Sequence, residues 1–217
     1  VIGFRALFDE LLATHGPQRW WPADDPFEIM LGSILVQRTA WRNAEVAIAA
    51  LRERALLRPA ALAAIEPLTL APLIRSAGFF RTKASRLRGL AEFVVESGGV
   101  QVLAGWPTSH LRGTLLRLDG IGPETADAIL LYAFDRPVVV IDAYLRRLVG
   151  RLHPTGTAFP DDRLREAVMA EINDAASLNE FHALVVEHGK RLCATRPNCA
   201  ECRLRQRCQF GRNEFEA

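Results

Sequence analysis

Lysine is almost missing from this chain: Lys83 and Lys190 are the only two, so arginine supplies the rest of the 27 basic residues. A guanidinium stays protonated, so any amine nucleophile has just these two positions to come from. Cysteine is missing from everything before Cys193. No apolar run approaches the length of a membrane span, so no membrane partner is expected. Strong net charge is missing too. A formal charge of +2 does not announce a nucleic-acid protein, so any phosphate-binding face must come from local clustering. There is no alternating strand set, internal repeat or low-complexity linker, and nothing resembles a secretory signal. The first residue is Val1 and not Met.

What is present is helix periodicity. Apolar residues recur at three and four, with short Gly or Pro punctuation, and the fold class expected is all-α. Pro26 after Asp24-Asp25 starts a helix whose buried stretch, Phe27 to Val36, turns polar at Gln37-Arg38-Thr39. Further helices are expected near 42–54, 59–65, 70–76, 81–97, 108–117, 123–133, 143–152, 161–174 and 177–192. The β-branched run Val138-Val139-Val140-Ile141 has no partner strand and reads as an extended buried connector. At 217 residues and 49% hydrophobic, the chain can build one large core or two modest ones.

The four cysteines stand as Cys193-x5-Cys199-x2-Cys202-x5-Cys208. Four thiolates in one short loop suit tetrahedral zinc or a 4Fe-4S cluster, both of which need soft, deprotonated sulfur. Structural zinc usually takes two tight Cys-x(2–4)-Cys knuckles, whereas only Cys199 and Cys202 stand that close, so the spacing favours iron-sulfur. Zinc remains open, and two disulfides are the bland reading, although a chain of this size needs no staples.

Leu115 to Leu130 reads as helix, hairpin, helix around Gly120-Ile121-Gly122-Pro123. The glycines allow a tight turn and leave backbone N–H groups bare at the next helix's N-terminus, which attracts a phosphate. Alone this is an ordinary helix junction. Asp142 follows the buried connector and precedes a helical run, where an isolated Asp is normally an N-cap.

The glycine hairpin, then Asp142, then the four cysteines form an order that resembles the helix-hairpin-helix DNA glycosylases of the endonuclease III family, over essentially the whole chain. The resemblance implies two helical domains: a six-helix barrel with the hairpin at 18–132, and an iron-sulfur cluster domain from 1–17 and 133–217. It implies that Gly120 and Gly122 grip a DNA phosphate, that Asp142 carries the chemistry, and that Cys193, Cys199, Cys202 and Cys208 hold a 4Fe-4S cluster. The family's first cysteine gap is six residues and here it is five. Gln37 matches the wedge glutamine that enters the hole left by an extruded base, and Gly78-Phe79-Phe80 matches the second intercalating loop. The bland readings are a helix-end polar residue and two core aromatics.

Two residues after Gly122, family members that also cut the strand carry a lysine that forms a Schiff base with the sugar. This chain has Glu124, so the resemblance implies a monofunctional glycosylase that uses water, with strand cutting weak or absent; the bland role of Glu124 is a solvated acid in a helix's first turn. Trp20, Trp21 and Trp41 together with the Gly120-to-Asp127 stretch resemble the 3-methyladenine DNA glycosylase branch, whose aromatic residues line the base pocket. Cationic alkylpurines suit tryptophan faces. Plain packing of the tryptophans competes with that reading.

The mechanism implied has Arg38, Arg42, Arg81, Lys83 and the hairpin amides holding bent duplex DNA that contains a damaged base. Gln37 and Phe79 fill the gap, and the Asp142 carboxylate stabilises an oxocarbenium-like sugar and orients water. A monomer in a prokaryotic cytoplasm, associated with the nucleoid, is expected. Alternatives are an endonuclease III-like glycosylase and lyase on oxidised pyrimidines, or a non-catalytic DNA-binding iron-sulfur module. An adenine mismatch glycosylase is disfavoured because that branch carries an extra C-terminal domain, whereas this chain stops at Ala217.

Overall fold

The computed structural model describes residues 2–23, 25–153 and 160–216, and every regular element among them is helical. The chain divides into two compact units, Trp21–Arg136 and a second built from Val1–Trp20 with Pro137–Ala217. The boundaries expected from sequence, 18 and 132, lie a few residues before these.

The continuous unit holds α2 (Pro26–Leu35), α3 (Trp41–Glu53), α4 (Pro59–Ala64), α5 (Pro67–Leu70), a 3-10 helix (Ala71–Ala77), α6 (Phe80–Glu96), α7 (Val100–Ala104), α8 (Thr108–Leu115) and α9 (Pro123–Phe134). Its centre is α2, apolar on every side and buried from Ile29 to Leu35. Such a helix must be surrounded, and α3, α6 and α9 all pack against it. Asp25 caps it, accepting from the Phe27 amide at 2.7 Å and the Glu28 amide at 3.2 Å, with Pro26 at the first helical position. Asp24, the other half of the expected start, lies outside the described residues. The single helix expected over 70–76 is two pieces, because Pro72 follows α5 so closely that the chain tightens into 3-10 geometry.

The two-segment unit holds α1 (Phe4–His15), α10 (Ala143–Leu152), α11 (Asp161–Met169), α12 (Ala175–Arg191), two short 3-10 turns (Cys199–Glu201 and Arg205–Arg207) and α13 (Gln209–Glu216). Helix α1 lays Leu7, Phe8 and Leu11 on α12, with the Phe4 and Phe8 rings 6.3 and 6.4 Å from Phe181. The helix expected over 161–174 ends at Met169, and Asp174 instead caps α12 by accepting from the Ser177 amide at 2.8 Å. The run at 138–141 forms neither helix nor strand, and Val139, Val140 and Ile141 are buried while Val138 is half-buried. Helices α1, α7 and α13 were not anticipated.

The α8–hairpin–α9 pair is braced from within. Asp127, 2% exposed on α9, takes a two-pronged hydrogen bond from Arg112 on α8, at 2.6 Å to Nε and 3.1 Å to Nη2. Removing one partner of such a pair leaves the other's charge poorly solvated, which is strongly destabilising. Asp127→Ala should lower the free energy of unfolding by about 2–4 kcal/mol. A urea midpoint shift measured by circular dichroism checks this; an unchanged midpoint would show that the brace is dispensable.

Candidate functional site

In the continuous unit the hairpin turn runs from Leu118 to Gly122. Gly120 adopts φ +77°, a left-handed conformation that side chains resist, and the Ile121 amide closes the turn on the Leu118 carbonyl at 3.2 Å. Gly122 is the N-cap of α9 and Pro123 its first residue, so no side chain caps the first-turn amides. They are available to an anion, with the α9 dipole behind them. Glu124 stands exposed in that first turn.

The turn lines a cavity of about 750 Å³, shared with Gln37, Arg38, Phe79, Arg86 and Thr125. The Gln37 side-chain amide donates to the Gly120 carbonyl at 2.9 Å and to the Thr125 hydroxyl at 3.0 Å, which ties the α2 end to the hairpin. Phe79 is 65% exposed at φ +47°, while Phe80 is half-buried with the Arg75 guanidinium 5.8 Å above its ring. Arg38, Arg42 and Arg81 are all exposed, the latter two in the first turns of α3 and α6. A helix dipole disfavours cations there, so these arginines do nothing for helix stability.

One expected DNA contact is corrected. Lys83 is 2% exposed and its ammonium donates to the carbonyls of Leu35, Gln37 and Ala77, each at 2.8 Å. All three of its protons are spent inside the protein, so none is left for a phosphate. Burial and then the nearby Arg86 charge bring its pKa down to about 8. Arg86, which sequence reasoning passed over, lines the same cavity. It lies across Gly120, where an added Cβ would fall 2.1 Å from Nε, and that Nε donates to Asp119 at 3.2 Å.

Trp21 and Trp41 meet edge to face with ring centroids 4.9 Å apart, and Tyr132 stands 5.4 Å from Trp21 as a third aromatic that went unanticipated. Gly32 makes this possible, because a Cβ on it would lie 2.7 Å from the Trp21 ring. Trp20, half-buried, belongs to the two-segment unit.

In that unit Asp142 is the N-cap of α10, its Oδ1 accepting from the Leu145 amide at 2.7 Å. It is 6% exposed, and its Oδ2 is 3.6 Å from His182 Nε2, which sequence reasoning missed because α12 brings it in from forty residues away. Burial opposes ionisation, but His182 and the Leu145 and Tyr144 amides outweigh it and hold the carboxyl below its ordinary range. A carboxylate in that state is a stable negative charge and a hydrogen-bond acceptor.

All four cysteines line one small apolar cavity with Leu148, Leu152 and Phe210, and none is in a disulfide. Arg151 donates to the Cys193 sulfur at 3.2 Å and the Gly211 amide to the Cys208 sulfur at 3.4 Å. Burial pushes the Cys202 and Cys208 thiols up, so thiolates there would need a cation beside them. No three described His, Cys, Asp or Glu side chains group as ligands of a single ion. Four thiols outside any disulfide around one cavity, two of them with N–H donors, fit a thiolate-bound group.

The HhH-GPD superfamily of base excision DNA repair proteins matches residues 31–174. A protein of Methanocaldococcus jannaschii named as a DNA repair glycosylase is 38% identical over 93% of this chain and 94% of its own length. Endonuclease III of Thermotoga maritima is 32% identical over 87% of this chain and 84% of its own. Among solved structures, H. pylori 3-methyladenine DNA glycosylase bound to 1,N6-ethenoadenine superposes with a TM-score of 0.75 at 27% identity, covering 87% of this chain and 98% of that one. A non-covalent endonuclease III–DNA complex reaches 0.82 at 21% identity over the full length of both chains, a likeness of fold.

Gly120→Ala adds a side chain at a left-handed φ and drives Arg86 off the turn. It should cost about 1 kcal/mol of stability and weaken duplex binding about tenfold at low salt, read by fluorescence anisotropy. Wild-type affinity in a folded variant would remove the hairpin and Arg86 from the interface.

Proposed function

We propose that this chain, which belongs to the HhH-GPD superfamily of base excision DNA repair proteins, is a monofunctional DNA glycosylase for alkylated purines such as 3-methyladenine. As a base excision repair DNA glycosylase it acts on DNA. The finer reading rests on one observation: the position two residues past Gly122 is Glu124, an acid in the first turn of α9 where an amine nucleophile would be needed for lyase chemistry. Neither lysine can serve in its place. Lys83 is buried with its protons committed, and Lys190 lies near the end of α12, outside the hairpin.

Water is then the nucleophile. Asp142 supports the positive charge that grows on the sugar as the C1′–N bond breaks and its electron pair leaves with the base. Water's oxygen bonds to C1′, and its proton passes by way of the carboxylate to solvent. A cationic base departs readily, so no strong acid is needed to protonate it. Trp21 and Trp41 supply stacking faces for such a base, with Tyr132 beside Trp21. The alkylpurine assignment is supported by the likeness to the H. pylori enzyme bound to ethenoadenine. Arg38, Arg42, Arg81, Arg86 and the hairpin amides would take the phosphates, with Gln37 and Phe79 as wedges and the protein acting as a monomer.

A second reading, a glycosylase and lyase for oxidised pyrimidines, is favoured by the endonuclease III of T. maritima at 32% identity. Cys193, Cys199, Cys202 and Cys208 would hold a 4Fe-4S cluster, which supplies loop order and a one-electron redox centre when bound. No helix is long and apolar enough to cross a membrane among the described residues.

Duplexes carrying 3-methyladenine or, separately, thymine glycol separate the two readings. Release of 3-methyladenine, with strand breaks only after alkali, is expected; thymine glycol release with breaks before alkali would overturn the assignment. Asp142→Asn should reduce release at least about a hundredfold while retaining duplex binding. With abasic DNA and borohydride, wild type should trap no covalent adduct and Glu124→Lys should introduce one, since an amine then stands where the imine forms. Iron and sulfide analysis of protein purified without oxygen should give iron and acid-labile sulfide in equal amounts; one zinc per chain without sulfide would replace the cluster.

A further inference from the structure

Lys83 is a buried charged side chain in the continuous unit, and the glycosylase chemistry makes no use of it. It is a cation at 2% exposure, where an apolar residue would cost the core nothing in desolvation. What it holds explains its presence. Leu35 is the last residue of α2, and Gln37 lies in the turn beyond it. Ala77 closes the 3-10 helix ahead of Gly78 and Phe79. The carbonyls at these ends have no intrahelical donor, and one ammonium serves all three at 2.8 Å. Two turns that are far apart in sequence are thereby fastened to one atom. Each carries one of the side chains read as wedges, and Gln37 and Phe79 line the same 750 Å³ cavity.

Neither wedge side chain could hold its turn unaided. Phe79 is 65% exposed, and its backbone sits in the left-handed region at φ +47°, a conformation that costs a non-glycine residue about 1 kcal/mol or more unless its surroundings enforce it. The Gln37 side chain is engaged with Gly120 and Thr125, and it must release both to enter a duplex. While it does so, its main chain keeps the turn in place, the amide through the Ile34 carbonyl at 3.3 Å and the carbonyl through Lys83.

We propose that Lys83 is a positioning residue that locks the Gln37 turn and the Phe79 turn into one rigid double wedge, so that both enter a duplex together. The inference rests on the reading of this protein as a base-extruding glycosylase. It assigns Lys83 no contact with DNA, and it predicts that the two wedges act as one unit.

The test uses full-length protein and duplexes with 2-aminopurine beside 3-deaza-3-methyladenine, a non-cleavable mimic of the lesion, where fluorescence rises when the stack opens. Wild type should give a rise on damaged duplex. Lys83→Met, which supplies no donor, should slow it about tenfold, and Lys83→Gln, which supplies two, should fall between. Affinity for undamaged duplex should change less than about twofold, because Lys83 touches no phosphate. A folded Lys83→Met that opens the stack at the wild-type rate overturns the inference, and so does a loss confined to undamaged-duplex affinity. If the Lys83 variants do not fold, Gln37→Ala and Phe79→Ala decide it with Lys83 in place. Coupled wedges give a double-variant loss well below the product of the single losses. A loss equal to the product overturns the double wedge. No fluorescence rise with wild type would bring down the glycosylase reading and this inference with it, whereas a wild-type rise with unaffected variants removes the Lys83 role alone.

Discussion

The constraint on which the continuous unit turns is that α2 must be buried on all sides and still end at a working surface. A helix apolar all round can sit only at the centre of a bundle, yet its last turn leaves carbonyls without donors. Water cannot reach the Leu35 carbonyl, and an apolar neighbour would leave it unsatisfied. A long, flexible cation reaching in from α6 resolves this, and because an ammonium has three protons the same residue also closes the Gln37 and Ala77 carbonyls. The scarcity of lysine gives the arrangement added meaning. In a chain that otherwise uses arginine for positive charge, this position takes a compact ammonium, which brings three protons to one atom, where a planar guanidinium spreads its donors over a fork.

The second constraint is at the hairpin. The side chains around its cavity are close to charge-balanced, with Arg38 and Arg86 against Asp119 and Glu124 and with Lys83 committed inward. On the proposed reading a phosphate would find its field in the α9 first-turn amides, which no side chain caps, more than in the arginines. Arg86 is held over the turn by Asp119, an exposed pair of small energetic value that a phosphate can replace at little cost. A chain of net charge +2 can thus grip a polyanion through local geometry, without a broadly basic surface.

Sequence carried the helical class, the capping aspartates and the hairpin, because each depends on residues close together in the chain. Asp25 and Asp142 announce helix starts through short-range hydrogen bonds, and Gly120 announces a turn through its own backbone freedom. Contacts made by tertiary packing were out of reach. His182 reaches Asp142 only because α12 packs on α10, and Tyr132 joins Trp21 only because α9 packs on α2. Lys83 misled for the same reason. An exposed lysine and a buried one look alike in a sequence, and the three carbonyls that claim this one come from two other segments. Helix α1 is a different matter. Its Leu7, Phe8 and Leu11 carry the three-and-four spacing plainly, so the signal was present and unread.

Asp142 and Glu124 show how position assigns different work to one functional group. Both are acids at or near a helix N-terminus, where the dipole and bare amides favour negative charge. Glu124 is exposed, so water stabilises its charge. Asp142 is almost fully buried, and there the low-dielectric surroundings raise the cost of ionisation until the His182 and amide partners repay it. A carboxylate stabilised by fixed dipoles needs no reorganisation when a positive charge develops beside it, which is the condition for lowering the barrier to an oxocarbenium-like state. An N-cap on the surface could not meet that condition. The same aspartate that starts α10 becomes a candidate for chemistry because the connector at 138–141 carries it into the core before the helix begins.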